Sequence, residues 1–454
     1  LYDKHSPVNA NLDLLTLPNN KKGATPGKKL DKICPPSAPQ RTYNVTAVTA
    51  QQSLPGGTLV YNARGGLHDP TAVLFVRSED LDVAGKLKAG VPVEPLVLRA
   101  AAGDCINVTL KNNLPLTLPD LAGFNTMPGI VNLFNANQVL PSSYVGLHPQ
   151  LVEYYMASGD DGMNIGFNPI GTAAPGGTTT YRWYAGDVSL GQGGPTYTPI
   201  EFGAINLSSS DPIKHSNKGA IGALIVEPQG ATWTEDATSR AFATVTNSDG
   251  THFREFVLIF QDDINFRHAD GSPVALTAKE EDPEDSGQKA LNYRTEPTWL
   301  RMRYEPDSPL NGGHGGGCLG FGACGPTNLL DFTNARSNLQ VGGDPETPIF
   351  TAQAGTPVRF RILEPAGHPR GHIFQVHGHV WQEEPYINGS TQIGFNPLSE
   401  WKGSQHGHGP SNHFDIVPMN GAGGAFRVPG DYLYRDQQSF MFDGGLWGIF
   451  RVTP

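Results

Sequence analysis

The chain has 454 residues, 17% of them charged, with 55 glycines, 38 prolines and a formal net charge of −11. That length allows two or three domains, each with a sizeable core, while so much Gly and Pro disfavours long helices. No segment nears the roughly 18 uninterrupted apolar residues of a membrane-spanning helix, and the acidic balance argues against a nucleic-acid partner, which would call for a basic face.

Residues 1–40 are rich in Lys, Asn and Pro, including Lys21-Lys22 and Lys28-Lys29. They hold little to bury and are expected to form an arm over a neighbour. From Arg41 the pattern becomes short alternating or apolar runs bounded by turn residues: Tyr43–Val48, Thr58–Tyr61, Ala72–Val76, Leu96–Arg99, Cys105–Leu110, Thr178–Tyr184 and Ala223–Glu227. A second set follows at Glu255–Phe260, Pro348–Ala352, Val358–Leu363, Ile373–Val376, His413–Val417 and Gly448–Val452. This is the rhythm of β-sandwiches. Leu96–Val108 resembles Pro348–Phe360, each a strand, an Ala-x-Ala-Gly turn and a strand, and Ala220–Val226 resembles Leu446–Val452. An internal duplication is the economical reading, with domains at 41–229 and 230–454. The Gly312–Gly325 stretch, rich in Gly, His and Cys, is expected to be an insert in the second.

Cys34, Cys105, Cys318 and Cys324 form no C-x-x-C, which removes zinc ribbons, thioredoxin-like dithiols and c-type haem attachment. An even count in a Gly/Pro-rich β-protein suits disulfides and an oxidising compartment. Three pairings stay open, a local Cys318–Cys324 bridge among them. No signal peptide is visible at Leu1, and the chain is expected to be a processed, exported protein. Asp160-Asp161 and Glu280–Asp285 could offer oxygen ligands to Ca²⁺ or Mn²⁺, the second being expected as a solvated loop. Arg294-Thr-Glu296, with Trp299 and Arg301, is expected to fix a contact between the halves. No G-x-S-x-G or H-E-x-x-H is present.

Seven of the fourteen histidines lie between His368 and His413. His372, His377 and His379 flank a Val/Phe-rich run, and neutral imidazole is a good Cu(II) ligand. Residues two apart on a strand share a side, so His377 and His379 could reach one metal or two neighbouring ones. His406-Gly-His408 is a second His-x-His pair.

The phrases Glu94–Arg99, Val145–Gln150, Asp161–Gly166, Tyr181–Ala185, Gly222–Pro228, Leu291–Pro297, His377–His379 and Leu446–Val452 resemble, in order, those of multicopper oxidases, nearest the large bacterial type associated with manganese oxidation. The resemblance implies two tandem cupredoxin-like Greek-key β-sandwiches behind the N-terminal arm. It also implies an extracytoplasmic setting, whether periplasmic, cell-surface or secreted, and copper as the cofactor. Such oxidases need a type 1 copper on two His and a Cys, plus a trinuclear cluster on four His-x-His pairs. The matching positions depart from this pattern. His148-Pro-Gln150 has lost the second histidine of its pair, and Gln375 stands where a type 2 ligand belongs. His372 matches a type 1 ligand and His377 a type 3 ligand. By spacing, Asp436 or a neighbour occupies the place of the type 1 cysteine, and Met441 that of the last type 1 histidine.

The resemblance therefore points first to an oxidase homologue that has lost its redox centres and acts as a structural or binding subunit, with other protein subunits or itself as partner. One alternative is a copper-binding protein with a single residual site drawn from His372, His377, His379, His148, His406 and His408. Another is an oxidase of metal ions or phenols whose missing ligands come from another subunit or chain piece.

Overall fold

The computed structural model describes residues 33–120 and 140–454, apart from 167, 213, 265, 273, 275–287, 302–331, 337–342, 368–370, 406 and 438. The sheet strands of the first half are β1 (Gln40–Thr49), β2 (Val73–Arg77), β3 (Leu96–Ala101), β4 (Cys105–Asn112), β5 (Leu147–Pro149), β6 (Thr178–Tyr184), β7 (Gly203–Ser209) and β8 (Ile221–Glu227). They make two sheets, ordered β2-β1-β4-β6 and β3-β8-β7-β5. The second half adds β9 (Thr232–Asp236), β10 (Ser239–Thr246), β11 (His252–Ile264), β12 (Gln288–Leu291), β13 (Ile349–Gln353), β14 (Val358–Leu363), β15 (Phe374–Val376), β16 (His413–Ile416), β17 (Gly430–Asp436) and β18 (Trp447–Thr453). Its sheets run β9-β10-β11-β14-β16, with β12 also paired to β11, and β13-β18-β17-β15. The architecture is all-β, two sandwiches in tandem, as the alternating runs predict.

Strand pairing repeats the internal similarity of the sequence. β3 runs parallel to β8, as β13 does to β18, and β1 runs parallel to β4, as β11 does to β14. Alternation then decides the faces. On β11, Phe256, Leu258 and Phe260 enter a core with Phe350, Phe360 and Phe450, all from the second half. Val257 and Ile259 point the other way, into a cluster shared with Val97, Ala223 and Ile225 of the first half. That shared cluster joins the two sandwiches. The first half keeps a core of its own around Val45, Leu98, Ile106 and Trp183.

Glu255 lies on the same side of β11 as Val257 and is fully buried. Its carboxylate accepts from Arg99 Nε and Arg361 Nε, each at 2.9 Å. Arg361 also donates to Glu227 at 2.7 Å and to Asp415 at 2.8 Å, while Arg99 reaches Glu235 at 3.0 Å. Burial would raise the Glu255 carboxyl, but Arg99 and Arg361 outweigh it and hold the group at about 2. Glu227 moves the other way: burial, with Glu255 beside it, pushes it well above the usual range. Glu296 makes a second tie between the halves, accepting from Asn62 Nδ2 at 3.1 Å and Arg64 Nη2 at 2.5 Å, while Arg301 Nη1 donates to it at 2.8 Å.

A disulfide joins Cys34 to Cys105, anchoring the residues ahead of β1 onto β4. Of the expected features, residues 1–32 of the arm, Cys318, Cys324 and the Gly312–Gly325 insert lie outside the described residues.

Replacing Arg361 with Met would strip a counter-charge from Glu255, Glu227 and Asp415. It is expected to cost about 3–5 kcal/mol, read from urea unfolding; a loss under about 1 kcal/mol would count against the network. Glu255 is depressed, so its contribution is present above its unfolded value of 4.5 and is lost as pH falls toward about 2. The melting-temperature gap between wild type and Glu255→Gln should be full near neutrality and narrow across that window. A gap that ignores pH would refute the assignment.

Candidate functional site

The histidine run leaves β15 at its two ends in different ways. His372 precedes the strand and is fully buried. Its backbone bridges to His408, with N–H to carbonyl distances of 2.5 and 2.8 Å, and the two imidazole centroids stand 5.5 Å apart. β15 pairs antiparallel with β17 so that Phe374 faces Asp436. This register brings the Asp436 carboxylate to His372, whose Nδ1 donates to it at 2.5 Å, and to the Ile373 amide at 3.2 Å.

The other nitrogen, His372 Nε2, faces Asp262 Oδ2 and Glu364 Oε1, each at 3.6 Å. Asp262 comes from β11 and Glu364 from just beyond β14. Both sit on the even-numbered face that carries Phe260 and Phe360, so the polar group caps the core of the second sandwich. Lys289 Nζ of β12 donates to Asp262 Oδ1 at 2.9 Å, and His408 Nε2 lies 3.9 Å from Glu364 Oε2. Phe260 packs against both imidazoles. Burial opposes charge on His372, but Asp262, Asp436 and Glu364 overcome it and lift the imidazole to about 10. Burial, reinforced by Asp262 and Asp436 against His372, pushes Glu364 up to about 8. Burial and the neighbouring His372 drive His408 down to about 3. Burial would raise Asp262, yet Lys289 and His372 hold it below the usual carboxylate range.

After β15 the expected sharing of a side by His377 and His379 fails. Gly378 takes φ 72°, a left-handed turn, and strand alternation stops there. His377 is exposed while His379 is buried. His379 Nδ1 donates to the His377 carbonyl at 3.0 Å, and its Nε2 accepts from the Gly423 amide at 3.1 Å. Tyr432 and Phe450 pack on its ring. Both nitrogens are therefore spent on the fold. Burial lowers the His377 imidazole, with Arg435 and Arg336 adding to the effect.

His148 of β5 donates from Nδ1 to the Asp161 carbonyl at 2.7 Å, and Gln150 accepts from Asn206 Nδ2 at 2.6 Å. Asp160 and Asp161 are buried in their own loop. Asp160 accepts from the Arg182 amide at 3.1 Å, and its carbonyl accepts from Trp183 Nε1 at 2.8 Å. His406 and Glu280–Asp285 lie outside the described residues. Of the six candidate ligands, the structure brings His372 and His408 together. It joins to them Asp262, Glu364 and Lys289, which no sequence motif marked; the available signal was an acid closing each of two apolar strands. Among the described residues no group of three or more His, Cys, Asp or Glu side chains forms a ready-made ion site.

No family profile matches the chain, and no curated protein matches it. Solved structures similar to it include one described as a multicopper oxidase, at 14% identity over 94% of each chain with a TM-score of 0.45. A blue copper oxidase from Nitrosomonas europaea matches at 13% identity over 91% of this chain and 86% of that one, TM-score 0.45. A copper nitrite reductase from the same organism matches at 14% identity over 91% and 94%, TM-score 0.45.

The different surroundings of the two neighbouring histidines set a contrast. His379→Ala removes two buried hydrogen bonds and a packed ring and is expected to cost about 2–4 kcal/mol. His377→Ala should stay within about 0.5 kcal/mol of wild type. Chemical denaturation of the two variants checks this, and equal losses would refute it.

Proposed function

We propose that the chain is an extracytoplasmic relative of the multicopper oxidases, built from cupredoxin-type sandwiches, that no longer carries a type 1 centre and serves as a structural or binding subunit. The observation that carries this reading is the His372–Asp436 pair. A type 1 centre needs a thiolate beside two imidazoles. At or next to the position where the resemblance puts the thiolate, Asp436 accepts a hydrogen bond from His372 at 2.5 Å. Where it puts the second imidazole, Met441 is fully buried in the core of the second sandwich. The residues at these positions do not fit a blue-copper ligand set.

The first sandwich supports the same reading. By the resemblance, His148 and Gln150 fall at the first His-x-His pair of the family, and the Gln150 amide oxygen accepts from Asn206. The Cys34–Cys105 disulfide suits an oxidising compartment. The ionic contacts between the sandwiches suit a protein whose shape, rather than its chemistry, is what it supplies.

Addition of excess Cu²⁺ to the purified chain should produce no blue thiolate-to-copper band. Oxygen uptake with manganous or phenolic substrates should equal that of His377→Ala. A blue band, or uptake abolished in His377→Ala, would overturn the proposal.

A further inference from the structure

We infer that Asp262, Glu364, His372 and His408 form a mixed carboxylate–imidazole site for one divalent first-row cation, enclosed at the end of the second sandwich. The inference stands apart from the structural role proposed above, since it concerns binding and not oxidation.

Buried polar atoms that make no hydrogen bond are concentrated here. His372 Nε2, both carboxylate oxygens of Glu364 and both ring nitrogens of His408 are buried with no hydrogen bond. Each such atom costs about 1–3 kcal/mol unless something satisfies it. His372 Nε2 is 3.6 Å from oxygens of both Asp262 and Glu364. That is too long for a hydrogen bond. Donors held ~2.1 Å from a tetrahedral Zn²⁺ stand roughly 3.4 Å from one another, so the spacing is that of ligands around an ion. His408 Nε2 lies 3.9 Å from Glu364 Oε2, the longest of these separations, and the four residues do not yet close on a point.

The surroundings fit the same assignment. His372 donates its other nitrogen to Asp436, the outer carboxylate that orients a metal-bound imidazole. Asp262, Glu364, Asp436 and Lys289 are all fully buried. The two ligand carboxylates match the charge of one dication in a cluster shut away from water. Two nitrogens and two carboxylates without sulfur favour Zn²⁺ and similar ions over Cu(I).

The test takes the full chain, stripped with chelator, incubated with Zn²⁺ long enough for a buried site to load, and desalted. One equivalent of Zn²⁺ should remain in wild type and in His377→Ala, and Co²⁺ should give the intense visible bands of four-coordinate cobalt. Glu364→Gln and His408→Ala should retain none, and Asp436→Asn should bind about 10–100-fold more weakly. Wild type that keeps no Zn²⁺ and shows no such cobalt bands overturns the inference without any variant having to fold. Retention lost in His377→Ala yet kept in Glu364→Gln would assign the ion to an exposed imidazole and overturn it as well.

Discussion

The carboxylate of Glu255 is shared by two arginines, and the rest of the structure is arranged around that fact. Arg99 belongs to β3 of the first sandwich, while Arg361 and Glu255 belong to β14 and β11 of the second. All three are shut away from water. An ion removed from solvent must find opposite charge and hydrogen bonds where it lies, or the fold loses several kcal/mol. The sandwiches therefore meet in one orientation, the one in which the first brings Arg99 and Glu227 to the second's Glu255 and Arg361. Apolar contact alone would allow sliding between packings of similar area. Charges at fixed positions do not. Glu227, Glu255 and Asp415 gather around Arg99 and Arg361, and burial, with Glu255 beside it, pushes the Glu227 carboxyl well above its usual range.

The parallel pair β11–β14 carries two polar systems on its two faces. Glu255 and Arg361 are odd-numbered and look toward the first sandwich. Asp262 and Glu364 are even-numbered and close the core beneath His372 and His408. Period-two alternation keeps them apart, so the ionic interface and the candidate cation site share a backbone without sharing a side chain.

Much of the fold was legible because strand signals are local. The alternating runs and the Ala-x-Ala-Gly turns announced both halves, and the similarity of Leu96–Val108 to Pro348–Phe360 reappears as matching parallel pairs. Expectations that depended on one-dimensional spacing fared less well. His377 and His379 share a side only if the strand continues, and Gly378 ends it. His372 was identified, but its partners Glu364, His408, Asp436 and Asp262 lie 8, 36, 64 and 110 positions away, and the acids look like ordinary polar strand ends until pairing buries them. Lys289 is the clearest case: a lysine is read as exposed by default, and this one is buried against Asp262.

The order of strands within the sheets also bears on how the chain is made. β8 sits between β3 and β7, and β18 sits between β13 and β17. Each is the last strand of its half to be synthesised, yet each is internal to its sheet. Neither sandwich can finish its sheets until that strand has emerged from the ribosome. The first can therefore close once Glu227 is out, with more than two hundred residues still to be added, in keeping with N-terminal units folding first during synthesis. In that interval Arg99 is already placed on β3 without the carboxylates it bonds, Glu235 and Glu255. The nascent first sandwich thus carries a guanidinium whose bonded partners arrive only with the second.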